Sequence, residues 1–238
     1  LKKITPIPTM LKQINCIALA LLLSPVLASA QEGPFFGTGV KVGEADTNSA
    51  IVWARLTATP KADFDRLPIF TKGLTSDIMD SGSMPSDVAP GAPGEFRVHH
   101  WIESKGEKNK RSSNWARVSS INDYIGQLSL TDLKSGESYA YQVEARQAGS
   151  LKITSTAKGK FKTAPDKGSK NPIRFIVTTC QAIRSIDSGE KGHSTYGQML
   201  DFKPHFLVHT GDIVYYDKAP LAKSVAQARA KWNLMFSY

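Results

Sequence analysis

In the stretch SYAYQVEA, Tyr139, Tyr141 and Val143 alternate with Ala140, Gln142 and Glu144, the period of a strand that buries one face. Short runs of β-branched and aromatic residues recur at 40–42, 50–56 and 96–102, and STAKGKFKTAP adds a last strand stopped by Pro165. Ahead of Tyr139, the segment LTDLKSGESY predicts that Leu133 anchors a core and that Ser135-Gly136 turns the chain. These elements predict an all-β sandwich of immunoglobulin-like or fibronectin-like type. Residues 59–94 break the pattern. They include DSGSMPSDVAPGAPG, whose Pro, Gly, Ser and Asp content predicts a long surface excursion, of a kind that sometimes covers a neighbouring site. No internal repeat is present.

After the polar linker PDKGSKN the patterning changes. Residues 173–179 (IRFIVTT) read as a buried-type strand, STYGQMLDF as a short helix, and Phe206-Leu207-Val208 as a second strand. Strand, helix, strand without a hairpin turn predicts a parallel α/β unit, in which functional groups gather beyond the C-terminal ends of the strands. Cys180 follows the first strand and Asp212 the second, so both are expected at one sheet edge. SVAQARAKWNLMFSY predicts a closing helix with Val225, Ala228, Trp232 and Met235 on one face. Because two parallel strands cannot cover both their faces, the second domain is expected to be incomplete within these 238 residues.

The first thirty residues stand apart from this fold. Lys2, Lys3 and Lys12 precede an apolar run over 17–23, and Ala28-Ser29-Ala30 supplies a small-x-small cleavage pattern, so a secretory signal peptide over 1–30 is expected. The run falls short of the about 20 apolar residues of a membrane span, and Pro25 interrupts its end. No stable span is expected after cleavage. Leu1 and Met10 serve equally as starts for such a signal. Cys16 lacks the run that precedes a lipidated cysteine, and no Arg-Arg pair supports twin-arginine export. Removal of the signal leaves Cys180 as the sole cysteine, which excludes an internal disulfide in an exported chain; the thiol is either a buried apolar group or a metal ligand. The formal charge falls from +9 to +6 over the remaining 208 residues. Its lysines are dispersed without an interleaved aromatic platform, so specific nucleic-acid binding is not expected.

The decisive stretch is FLVHTGDIVYYD. Gly211-Asp212 after a strand is a common turn, closed by the Asp side chain. Tyr215, three positions on, allows a second reading: a phenolate oxygen suits Fe³⁺ and a carboxylate can bridge two metal ions. Tyr216 and Asp217 are rival neighbours; in an extended continuation Tyr215 and Tyr216 point to opposite sides, so one of them reaches the metal. His209 is either an outlying support or a core residue, and His99, His100 and His205 show no ligand spacing. No role for His193 or Gln181 follows from the sequence.

TTCQ at one strand end and HTGDIVYYD at the next resemble the PhoD-like alkaline phosphatases of the metallophosphoesterase superfamily. There a Ser/Thr-Cys-Gln replaces the usual first Asp-x-His motif and the second reads Gly-Asp-x-x-Tyr. FGTGVKVGEADTNSAIVWARL, YAYQVEA and FKTAP are similar to the opening and closing strands of that family's N-terminal domain. The resemblance implies a signal peptide at 1–30, a β-sandwich at 31–166 and the start of an α/β metallophosphoesterase domain at 167–238, truncated. It implies an exported, periplasmic or secreted enzyme acting on phosphate mono- or diesters, with Cys180 and Tyr215 as ligands of Fe³⁺, Asp212 bridging iron to a second metal, and Ca²⁺ as the companion ion. The family's later ligands have no counterpart here, so no general acid, base or nucleophile is assignable and the fragment is expected to be inactive. Purple acid phosphatase, which also joins a sandwich to a Gly-Asp-x-x-Tyr site, would need an Asp at position 180. A secreted β-sandwich binding module without catalysis is the reading from a different class, and it needs no metal.

Overall fold

The computed structural model describes residues 32–63, 84–182 and 192–237. The expected signal segment lies outside them, as does 64–83 of the excursion. Two antiparallel sheets share one core. The smaller runs β1 (Val40–Gly43), β2 (Ala50–Arg55) and β6 (Ile125–Leu130) in the order β1-β2-β6. The larger has β3 (Gly94–Ile102) at its centre, with β4 (Arg111–Ser112) and β5 (Ala116–Val118) along one side, β7 (Ser138–Arg146) along the other, and β8 (Ile153–Lys162) beyond β7.

Alternation fixes the register. Val98 sits opposite Val143 between β3 and β7, and Val52 opposite Leu128 between β2 and β6. Val52, Ala54, Phe96, Val98 and Val143 are fully buried in a cluster that also takes in Leu130, Leu133, Tyr139 and Tyr141. A full burial of Val or Phe is worth about 1.5–3 kcal/mol. Leu133 does anchor the core, and the Tyr139 hydroxyl accepts the backbone N–H of Lys134 at 2.8 Å, which ties the turn before β7 to its own strand as in fibronectin-like sandwiches. β8 closes the sheet with Lys158, Lys160 and Lys162 along it, charges that discourage pairing with a further chain.

Strand β6 has no counterpart in the sequence reading. Its IGQLSL lacks a run of β-branched residues, and Gly126 is the reason it fits: a Cβ there would sit 2.5 Å from Cε1 of the buried Phe96.

The second part is β9 (Phe175–Thr178), α1 (Ser194–Asp201), β10 (Phe206–His209) and α2 (Val225–Met235). β9 and β10 pair in parallel, Phe206 against Phe175 and His209 against Thr178. The strand read as buried is open to solvent: Phe175 is 52 %, Val177 58 %, Phe206 50 % and Leu207 42 % exposed, because no layer covers either face among the described residues. Ser224 caps α2 by accepting the N–H of Gln227. The apolar face of α2 also differs in part from expectation, although Met235 is buried as expected. Val225 is 70 % exposed, whereas Ala230 and Leu234 pack on Ala62, Met84, Val88 and Ala89. The helix is rotated because the returning limb of the excursion supplies the apolar partners, which helix periodicity alone could not show. Gln31–Tyr238 form one compact unit. Among the described residues no helix is long and apolar enough to cross a membrane.

Candidate metal centre

Pairing of β9 with β10 continues past the strand ends. Thr210 N–H donates to Thr178 O at 2.9 Å, Cys180 N–H to Gly211 O at 3.2 Å, and Gln181 N–H to Asp212 O at 2.7 Å. This zipper aligns the two turns. Cys180 and Asp212 each adopt the left-handed conformation with φ of 55°, and Gly211 between β10 and Asp212 has φ of 131°. Such backbone costs on the order of 1–3 kcal/mol at a non-glycine residue and concentrates at functional positions. Asp tolerates it more readily than Cys.

The turns bring three side chains to one point. The Cys180 thiol lies 3.5 Å from Asp212 Oδ2, and the Tyr215 hydroxyl donates to the same Oδ2 at 3.1 Å. Cys180 is exposed, so it is not the buried core thiol. The Tyr215 phenol is pushed well above its ordinary range, first by its hydrogen bond with Cys180, then by loss of solvent and by the Asp212 carboxylate. The Asp212 carboxylate so close to the phenol opposes its ionisation, and a cation beside them would reverse that balance. A soft sulfur, a carboxylate able to bridge and a phenol oxygen thus form a donor set that fits a transition-metal ion beside a harder cation. Among the described residues no three His, Cys, Asp or Glu side chains group as metal ligands; this edge has two of those types plus a phenol.

Supporting contacts come from α1 and α2. Tyr196 donates to Gln181 Oε1 at 2.6 Å, and Gln181 Nε2 reaches Met235 Sδ at 3.0 Å. Lys231, 6 % exposed, donates its ammonium to the carbonyl of Tyr215 and, at 2.6 Å, to that of Lys218. Burial lowers its pKa to about 8, with Asp217 opposing. Tyr216 turns away, its hydroxyl accepting Trp232 Nε1–H at 2.7 Å, although the backbone after Asp212 is bent rather than extended. A cavity of about 30 Å³ beside Tyr215, lined by Met84, Val214 and Leu234, is too small for a substrate. His209 Nδ1 accepts from Gly211 N–H at 3.3 Å, while its buried Nε2 has no partner among the described residues. His205 accepts from Arg174 N–H, and His99 lies between Ser112 and Glu144, so both are structural. Tyr196 and Lys231 carry no sequence signal as supports; Gln181 had one, its place directly after Cys180 in TTCQ.

A family model described as PhoD-like phosphatase, N-terminal domain, matches residues 22–165. The chain belongs to the PhoD-like phosphatase family. Among solved structures it is similar to PhoD, with a TM-score of 0.54 at 18 % identity over 87 % of this chain, and it spans 37 % of that protein's length. It also matches the third fibronectin III domain of the human KIAA0343 protein (TM-score 0.29, 13 % identity, 60 % of this chain and 94 % of that one) and the sensor domain of the anti-sigma factor RsgI4 from Pseudobacteroides cellulosolvens (TM-score 0.30, 13 % identity, 52 % and 71 %). At these scores neither carries weight. No curated protein matches the chain.

Proposed function

We propose that this chain is the N-terminal part of an exported, metal-dependent phosphoesterase of the PhoD-like kind, with a sandwich at 31–166 and the start of the catalytic domain at 167–238. The observation that carries the reading is the convergence of Cys180, Asp212 and Tyr215 at one strand edge. Cys180 and Tyr215 would hold Fe³⁺, and Asp212 would share it with Ca²⁺. When bound, such ions bind phosphate oxygens, acidify a water and offset the charge built up in an in-line displacement. The chain's own residues set the stage. The β9–β10 zipper and the left-handed turns fix Cys180 and Asp212 on one side of the edge. Lys231 holds the loop of Tyr215 by two carbonyls, and the Tyr196–Gln181–Met235 chain fixes the segment after Cys180. Phosphate esters approach from the solvent side, because all three donors are reached there.

Three donors without an imidazole leave the site incomplete, and the exposed faces of β9 and β10 support a further α/β layer supplied by residues beyond Tyr238. The span of 37 % of the PhoD chain supports the same reading. An export signal at 1–30 fits a periplasmic or secreted enzyme. Hydrolysis of p-nitrophenyl phosphate and bis-p-nitrophenyl phosphate by the full-length protein tests the proposal. Turnover is expected, lost in Asp212→Asn and absent from the 238-residue chain. Metal-dependent turnover by the 238-residue chain itself, or full turnover by Asp212→Asn, would sink it.

A further inference from the structure

One end of the sandwich holds a cleft of about 270 Å³ that includes none of Cys180, Asp212 and Tyr215. His100 of β3 lies in its wall on the core face of the strand, 5 % exposed, with its ring 6.1 Å from that of Tyr139. Neither ring nitrogen of His100 has a hydrogen-bond partner among the described residues. Buried polar side chains are almost always satisfied, by protein, water or an ion, so this imidazole points to a missing partner. Burial, then Arg111 and His99, lower its pKa to about 4, so it stays neutral and offers one N–H.

The charge of the cleft says what that partner is. Lys105, Arg111 and Lys134 line it against one carboxylate, Asp132. Arg111 already matches Asp132, at 3.4 Å, and spends further N–H groups on the carbonyls of Thr131 and Asp132. The ammonium groups of Lys105 and Lys134 make no ion pair among the described residues, leaving uncompensated positive charge in a cleft whose wall holds an unpartnered N–H. A volume just under the about 300–1,000 Å³ of drug-sized pockets suits a small ligand. Donors on the wall and at two further lining positions of one cleft suit an anion with oxygens in several directions.

We propose that this cleft binds a tetrahedral oxyanion of the phosphate type, free or as the terminal group of a small monoester, through His100, Lys105 and Lys134. The test uses the chain with Cys180→Ser and Asp212→Asn in every arm, so that its outcome is independent of the proposed metal centre. Inorganic phosphate, glycerol 3-phosphate and glucose are titrated against ¹⁵N-histidine-labelled protein. Phosphate is expected to shift the ring resonances of His100 saturably and glucose to leave them in place; tighter binding of glycerol 3-phosphate identifies a monoester as the source, and equal or weaker binding identifies free phosphate. Lys105→Ala with Lys134→Ala, changes at the rim that leave the core intact, is expected to weaken phosphate binding by roughly tenfold or more. The proposal is overturned if phosphate moves no His100 resonance, if the double variant binds it equally well, or if glucose moves that resonance as phosphate does.

Discussion

Replacement of Arg55 by Met would test how α2, and with it the candidate metal centre, is fastened to the sandwich. Arg55 is 2 % exposed at the end of β2. Its Nε donates to Asp123 O at 3.0 Å and to Oδ2 at 3.2 Å, its Nη2 to Oδ1 at 3.0 Å, and its Nη1 to Ala89 O at 2.9 Å. Asn233 of α2 donates to the same Asp123 carboxylate at 3.0 Å. One guanidinium thus ties β2 to the turn at Asp123 and to the returning limb of the excursion, and through Asp123 to the helix that carries Lys231. Met fills similar space but leaves the carboxylate with one neutral partner. Breaking a buried pair in this way costs about 3–5 kcal/mol, out of a total that for folded domains is about 5–15 kcal/mol. With urea slopes of about 1–3 kcal/mol per molar, the unfolding midpoint followed by tryptophan fluorescence should fall by on the order of 1–5 M at unchanged slope. Arg55→Met with Asp123→Leu, which removes both charges, should recover much of the loss. A single-variant midpoint no further down than an exposed ion pair allows, less than about 1 kcal/mol, would refute the argument.

Three other outcomes follow from the same geometry. Gly126→Ala drives a Cβ to within 2.5 Å of Phe96 in the closed core and should cost about 1–3 kcal/mol by urea denaturation; a neutral effect would mean that β6 sits further from β3. Lys41, stacked on Trp53 and Phe236, has its pKa lowered from 10.5 to about 8 by burial. Between those values the unfolded chain binds the proton more tightly than the folded one, so the Lys41 contribution rises with pH across that window and is smallest below pH 8. The stability of the wild type relative to Lys41→Met, measured below pH 8 and near pH 10, should therefore increase, and a constant or falling difference contradicts the assignment. Gly211→Ala places a side chain at φ of 131° with open space around it; strain of about 1–3 kcal/mol should appear both as a lower unfolding midpoint and as weaker metal retention, whereas an unchanged midpoint would mean the turn relaxes freely.

The sandwich was legible where burial enforces alternation, as at Tyr139, Tyr141 and Val143, and where turn chemistry marks an end, as at Pro165. It was not legible at β6, where a tertiary contact selects Gly126 against local strand propensity, nor in the rotation of α2, whose partners Met84 and Val88 come from a segment that reads as irregular. The approach of Cys180 to Asp212 was reachable because strand ends in a parallel unit share an edge, and that of Tyr215 from its place three positions after Asp212. Lys231 and Asn233 lie outside the apolar set read for the helix, yet both are buried, since their partners are a carbonyl pair and Asp123 that no local pattern reveals.

The measurement closest to the central claim is metal content with a visible absorption spectrum of the full-length protein, compared with Tyr215→Phe. The account predicts bound iron and a tyrosinate-to-iron charge-transfer band that disappears when the phenol oxygen is removed. Protein that contains no iron and takes none up, or a band that persists in Tyr215→Phe, would contradict it and leave Gly211-Asp212 as a strand end and a turn.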